Sequence, residues 1–221
     1  MCQVKRFFVL LFIVNAAIVF AQPTIRLGAH VDPILTWYSP RTSNIERDGA
    51  RLGYNGGLIV ETYFRPNYAF VTGLSLTSLG GNLMYKDSAS LSTSSGNNVI
   101  IPDNTTVAYN LTYLSLPVAL KLKSNEIGYF TYYAQLGFTP QFNIGSRATS
   151  TDDLLSKDNV SEEINLFNLS YFFGGGIEYN IGGQTSLIAG IFFNNGFVDV
   201  MSSSKHKAIL NYLTIRIGMM F

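Results

Sequence analysis

The sequence predicts an all-β chain: a closed antiparallel up-and-down transmembrane β-barrel of about 8 strands with short periplasmic turns and long extracellular loops. Three observations predict it. Apolar residues recur with a period of two from Ile25 to the end, and no stretch keeps a helical period. The composition is apolar (47%) and aromatic (14%) but only 13% charged, where soluble domains carry about 25% charged residues. The links between alternating segments are by turns short and long, as when every second link faces the same side of a membrane.

The N-terminus reads as an export signal. Lys5 and Arg6 precede an apolar run from Phe7 to Phe20, and Val19-Phe20-Ala21 supplies small residues around a cleavage site. Residues 1–21 are therefore expected to be a cleavable signal peptide and residues 22–221 an outer-membrane β-barrel domain. Cys2, the single cysteine, lies ahead of the basic residues and would leave with the signal, so thiol and metal-thiolate chemistry is not expected. Losing Lys5 and Arg6 from the 15 basic residues leaves 13 against 14 acids, a balance that offers nothing to nucleic acid.

Each strand shows the alternation. The first, about 25–38, sets Ile25, Leu27, Ala29, Val31, Leu35 and Trp37 against Arg26, Gly28, His30, Asp32 and Thr36. The second (51–64) sets Leu52, Tyr54, Leu58, Val60 and Phe64 against Arg51, Gly53, Asn55, Gly57 and Glu61. The third (68–78) sets Tyr68, Phe70, Leu74 and Leu76 against Ala69, Gly73, Ser75 and Thr77. In the fourth, Leu114, Leu116, Val118, Leu120 and Leu122 oppose Tyr113, Ser115, Pro117, Ala119 and Lys121. The fifth and sixth alternate from Phe130 to Thr139 and from Phe167 to Tyr179. The seventh carries Leu187, Ala189, Ile191 and Phe193 on one face, and the eighth ends on Ile215, Ile217, Met219 and Phe221.

Arg65-Pro66-Asn67, Lys123 to Glu126 and Asn180 to Gly183 are tight turns. Residues 39–50, 79–105, 143–163 and 195–207 are expected to be long polar loops, with the Ser/Asn-rich run Ser88 to Asn98 a mobile, solvated segment. An interior of eight-strand width admits only side chains. The small and charged face therefore belongs inside, and the bulky apolar face belongs against lipid. Aromatics gather at both ends of that face: Phe64, Tyr68, Phe130, Tyr179 and Phe221 near the short turns, and Trp37, Tyr54, Phe138, Phe167 and Phe193 near the long loops. This is the pattern of two interfacial girdles.

By parity Arg26, His30, Asp32, Arg51, Glu61, Lys121, Glu178 and Arg216 point inward. Both signs are present, as buried charges require, so the expectation is a salt-bridge network that fills the lumen. His30 and Asp32 share a face, but a structural histidine explains them without chemistry. Gly174-Gly175-Gly176 lies in a strand with no helix after it and reads as packing or curvature, not a nucleotide loop. His206 near Ser202, Ser203 and Ser204 has no acid placed to orient it. Asn104-Thr105-Thr106, Asn110-Leu111-Thr112 and Asp87-Ser88-Ala89 match short glycosylation patterns only. No catalytic, cofactor-binding or metal-binding residue is assigned, no cofactor is expected, and the chain is expected not to be an enzyme.

Tyr113-Leu114-Ser115-Leu116-Pro117-Val118-Ala119-Leu120-Lys121, Phe173-Gly174-Gly175-Gly176-Ile177-Glu178-Tyr179 and the terminal Leu213 to Phe221 together resemble the PorT-like outer-membrane β-barrel family common in Bacteroidota. The resemblance spans the mature chain and implies outer-membrane localisation more firmly than any activity. It implies three partners: outer-membrane lipid, the barrel-assembly machinery through the C-terminal strand ending in Phe221, and an envelope or secretion protein of unknown identity. The expected role is a membrane-embedded structural or interaction module with a side-chain-filled lumen. A component of a protein secretion complex, a narrow porin and a lipid-modifying barrel enzyme are the alternatives, in that order.

Overall fold

The last strand hydrogen-bonds to the first, so the sheet closes on itself. In the computed structural model, which describes residues 24–93, 98–152, 154–203 and 205–221, β13 (Ala208–Met220) pairs antiparallel with β1 (Thr24–Pro40) from Gly28↔Met220 to Pro40↔Ala208. The ring continues through β3 (Arg51–Arg65) and β4 (Tyr68–Tyr85). It then crosses a strand in two pieces, β7 (Thr105–Ser115) and β8 (Val118–Lys123), and completes through β9 (Phe130–Ser150), β11 (Phe167–Gly182) and β12 (Thr185–Gly196). Counting β7 and β8 as one, that is a ring of eight antiparallel strands. Closure leaves no unpaired edge, the condition for putting a sheet into lipid. The expected signal peptide lies outside the described residues.

Pro117 explains the interruption between β7 and β8. Proline has no ladder donor, yet the pairing on either side keeps one register, Ser115↔Gln141 before it and Val118↔Phe138 after it. Leu116 N–H still donates to Pro140 O at 3.0 Å. One rung is missing and nothing else shifts.

Side-chain parity matches the sequence expectation on all eight strands. Ile25, Leu27, Val31, Leu58, Phe70, Leu74, Leu136, Phe138, Ile191 and Ile217 are exposed on the outer wall, with Val31 68% exposed. His30, Asp32, Asn55, Glu61, Ser75, Thr77, Ser115, Lys121, Gln135 and Glu178 are buried inside. The two aromatic groups also form, with Phe64–Phe70 and Phe130–Tyr179 contacts at the short-turn end and Trp37–Phe193 and Phe142–Phe167 contacts at the other.

The long-loop end departs from expectation. Residues 79–85 and 145–150 are not loop but continuations of β4 and β9, and β7 begins at Thr105. On this side the wall rises above the apolar band, and its polarity inverts. The inward positions of β4 change from Ser75 and Thr77 to Leu79, Leu83 and Tyr85, while the outward ones change from Leu74 and Leu76 to Ser78, Gly80 and Asn82. On β7, inward Val107, Tyr109 and Leu111 back onto Thr106, Ala108, Asn110 and Thr112. On β9 a bulge does the same work. Thr112 pairs with Gly145 but Tyr113 with Asn143, so Ile144 is an extra residue. Beyond it Ser146, Ala148 and Ser150 face in, and Arg147 and Thr149 face out. Water outside and an apolar core inside is the soluble arrangement; lipid outside and a polar core inside is the membrane one. These strands carry both.

Short β2 (Ile45–Arg47) and β10 (Ser156–Asn159) flank the raised wall on β4 and β9. The run Ser88 to Asn98, expected to be mobile, instead contributes to a hairpin of β5 (Ala89–Ser92) and β6 (Asn98–Ile101); residues 94–97 lie outside the described ones. Leu91 and Ile101 are buried, which a solvated segment could not offer. Replacing lipid-facing Leu136 by Arg should destabilise the barrel by about 2–4 kcal/mol in urea unfolding from lipid vesicles. Thr149→Arg on the raised wall should cost under about 0.5 kcal/mol, as surface changes do. Equal costs at the two positions would show that the inversion does not mark the membrane boundary.

Candidate functional site: the filled lumen

Nearest the short turns lies an ionic layer. Lys121 on β8 is held between Glu61 on β3 and Glu178 on β11, strands diametrically opposite in the ring. Lys123 reaches Glu178 Oε2 at 2.7 Å and Arg26 Nη1 the same oxygen at 3.1 Å. Tyr63 donates to Glu61 Oε2 at 2.6 Å, and the Lys121 ammonium lies 4.5 Å from the centre of the Tyr133 ring. The Tyr133 ring fits because its neighbours lack side chains. A Cβ on Gly176 or Gly190 would stand 2.7 or 2.6 Å from the Tyr133 oxygen. The Gly174–Gly176 run is therefore the packing device its strand context implied.

Above it a belt of hydrogen bonds runs around the wall. Asn168 Nδ2 donates to Gln141 Oε1 (2.9 Å), and Gln141 Nε2 donates to Ser115 Oγ (3.1 Å). Ser115 and Thr77 hydroxyls are 2.8 Å apart. Thr77 Oγ1 donates to Asn55 Oδ1 (3.1 Å), and Asn55 Nδ2 donates to Asp32 Oδ2 (3.1 Å). The Thr77 hydrogen is committed to Asn55, so Ser115 is the donor between the two hydroxyls, and every donor points toward Asp32. His30 Nδ1 meets the same carboxylate oxygen at 2.8 Å and Arg216 approaches it at 3.4 Å, its guanidinium 4.7 Å from the Phe192 ring centre. Tyr212 on β13 ties in Gln141 and Ser170, and Asn194 on β12 donates to Thr214. All eight ring strands contribute. A cavity of about 40 Å³ lies here, lined by His30, Asn55, Thr77, Ser115, Tyr212 and Arg216 among others. Polar and of this size, it can hold water but no larger ligand.

The upper lumen is apolar, which corrects the expectation of small and charged residues throughout. Ile34, Tyr38, Leu79, Leu83, Tyr85, Tyr109, Tyr113 and Leu210 pack with Leu91, Ile101, Leu155, Val160, Ile164, Val200 and Met201 from the loops. Tyr85 and Tyr109 hydroxyls meet at 2.6 Å. Burial pushes the Tyr85 phenol up to about 12 and that of Tyr109 well above its usual value, so both stay neutral. Sequence parity could have found Leu79, Leu83 and Tyr85, because they continue the inward register of Ser75 and Thr77. Composition hid them, since large apolar residues were assigned to lipid.

The eight inward charges divide accordingly. Arg26, Glu61, Lys121 and Glu178 meet in the ionic layer, His30, Asp32 and Arg216 in the belt, and Arg51 at the outer mouth of β3. His206 is remote from His30, packing edge-on against Tyr85 at 5.0 Å, and Ser204 lies outside the described residues. Among the described residues no three His, Cys, Asp or Glu side chains gather as metal ligands.

Two outcomes test this layering. Lys121→Met leaves Glu61 without a cation in the lumen, while Glu178 keeps Lys123 and Arg26, and should cost about 3–5 kcal/mol in vesicle unfolding, with much of it recovered by adding Glu61→Gln; a cost below about 1 kcal/mol would show that the ion cluster is not buried in lipid. Burial also lowers the His206 pKa, against Glu163 and Asp87, which raise it, and with Lys205, which lowers it further. A lowered histidine pKa means protonation favours the opened cap, so its stabilising share is lost as pH falls through the ordinary imidazole range. The protection factors of the Tyr85 strand, with amide exchange corrected for its intrinsic slowing in acid, should fall on acidification, and His206→Phe should flatten that fall.

A family model described as "Outer membrane protein beta-barrel domain" matches residues 20–202. A search of the curated proteins finds no match. Among solved structures the fold is similar to Neisserial surface protein A (11% identity, TM-score 0.50, covering 88% of this chain and 95% of that one). It is also similar to Ail, the attachment invasion locus protein of Yersinia pestis (12%, 0.42, 89% and 98%). The outer membrane protease OmpT from Escherichia coli is a further similar structure (8%, 0.46, 92% and 99%). That last similarity corrects the expectation that the chain is not an enzyme: barrels of this kind include a protease, and the architecture leaves enzymatic status unassigned.

Proposed function

This chain belongs to the outer membrane protein β-barrel domain family and resides in the outer membrane, and from that premise we propose that it acts as a membrane-anchored interaction module whose working surface is the raised outer wall and its cap. The observation that carries the reading is the sealed lumen. An ionic layer, a hydrogen-bonded belt and an apolar plug follow one another along the axis, so traffic through the barrel would have to break all three. The material invested above the membrane supports the same reading. Three strands extend past the lipid and carry a folded cap with its own core, more structure than closing a barrel needs.

The cap is consolidated by specific contacts. Ser92 N–H donates to Glu163 Oε1 at 2.9 Å, Asn165 donates to the carbonyls of Asp199 and Met201, and Arg41 pairs with Asp199. A surface held this way is preorganised, and preorganisation lowers the cost of binding. A second reading, a component of a secretion complex of the PorT-like type, is favoured by the resemblance of the Tyr113–Lys121 segment to that subfamily; its partner would then be an envelope protein.

Purified protein in planar bilayers should give no stable single-channel steps; regular large steps would overturn the sealed-lumen reading. A photoreactive residue at Thr149, on the outer wall, should give a discrete crosslinked protein in intact cells, whereas one at lipid-facing Leu136 should not. Smears of equal intensity at both positions would argue against a dedicated outer partner.

A further inference from the structure

At the periplasmic mouth an open cleft of about 530 Å³ is lined by Thr24, Arg26, Tyr63, Phe64, Arg65, Pro66 and Lys123. Three of these side chains are cationic and none is acidic. The ionic layer behind does not balance them. Arg26, Lys121 and Lys123 share only Glu61 and Glu178, which leaves one positive charge in excess, and Arg65 adds a second. Arg65 is exposed and enters none of the ion pairs among the described residues, and Glu126, to which Asn180 donates, lines an adjoining cleft that shares Thr24, Arg26 and Lys123 but not Arg65. Residues 1–23, which run up to Thr24, contain no Asp or Glu, so that part of the chain cannot supply the missing negative charge.

The height of the cleft says which anion. Its Phe64 wall packs against Tyr68 and Phe70, the aromatic group of the short-turn end, which marks the level of the lipid headgroups. Arg65 and Lys123 can supply charge-assisted donors, Thr24 a hydroxyl, and Phe64 and Pro66 an apolar shoulder for the start of an acyl chain. We propose that this cleft binds a phosphate group, that of an anionic phospholipid in the periplasmic leaflet. Such a ligand would cover the excess charge at the lumen mouth and fix the depth of the barrel. Free inorganic phosphate offers the same chemistry without the acyl chain, and the experiment separates the two.

The test is native mass spectrometry of the mature chain, folded in zwitterionic detergent, with dioctanoyl phosphatidylglycerol, dioctanoyl phosphatidylcholine or inorganic phosphate. Heat-modifiable gel mobility confirms that each variant is folded. Wild type should retain one phosphatidylglycerol in preference to phosphatidylcholine. Arg65→Gln and Arg65→Glu should reduce the retained fraction about tenfold, while Lys157→Glu on the outer edge leaves it unchanged. Inorganic phosphate that displaces the lipid at equal concentration would keep the phosphate site and assign it to a soluble anion. Equal retention of the two lipids by wild type, or retention indifferent to Arg65, would overturn the proposal.

Discussion

A one-way chain of donors from Asn168 to Asp32 is the constraint around which this interior is organised. Burying a carboxylate in a barrel surrounded by lipid costs several kcal/mol unless its lone pairs are met. Asp32 Oδ2 is met by Asn55 on β3, His30 on β1 and Arg216 on β13, while Oδ1 is buried without a hydrogen-bond partner among the described residues. Each further donor in the chain is satisfied by the next strand along, so the polarity set at Asp32 propagates across β4, β7 and β9 to β11. Hydrogen bonds aligned in sequence polarise one another. The belt therefore fixes the ring from inside at the height where lipid tails grip it from outside with no directional force.

The second determinant is the change of solvent along a single strand. A β-strand alternates faces whatever surrounds it, so one register must serve lipid below and water above. Two devices meet that requirement here. On β4 and β7 the register is unbroken, and residue type changes: Thr77 gives way to Leu79 inward while Leu76 gives way to Ser78 outward. On β9 an extra residue, Ile144, turns the strand over, so that Ile144 meets the lipid boundary and Ala148 joins the core. Apolar side chains removed from the wall inside the raised section then become the floor on which Leu155, Val160 and Val200 settle. The cap is stable for the same reason any soluble sandwich is; the barrel beneath it supplies one of the layers.

This division accounts for what could be read from the residues alone. Strand positions, parity, the short turns and the inward charges were legible because period-two alternation survives in both solvents. The break at Pro117 follows from the residue itself, since proline lacks a donor wherever it stands. The raised wall was not, because residues 79–85 and 105–112 mix Gly, Asn and Thr outward with Leu and Tyr inward, which composition alone reads as a polar loop. Phe172 and Phe192 were missed for the converse reason. Phe192 sits inward against Gly174 and Gly190, with Phe172 edge-on to it, and the room those glycines leave is visible only once neighbouring strands are in register.

A lumen filled in three chemically distinct layers also decides where chemistry or binding can occur. The His30–Asp32 pair has the ingredients of a proton-transfer couple, but the cavity beside it is of water size and its outward route is closed by Tyr38, Tyr109 and Tyr113. Any molecule this chain handles must meet it at an end. The two ends differ: the outer one is a capped surface of mixed charge tied by contacts such as Ser92–Glu163 and Arg41–Asp199, and the periplasmic one is an open cleft with unbalanced cations at headgroup height. A folded cap suits recognition of a partner in the surroundings, whereas excess charge beside an aromatic belt suits lipid. The asymmetry follows from the strands themselves, since β4, β7 and β9 continue past the membrane on one side.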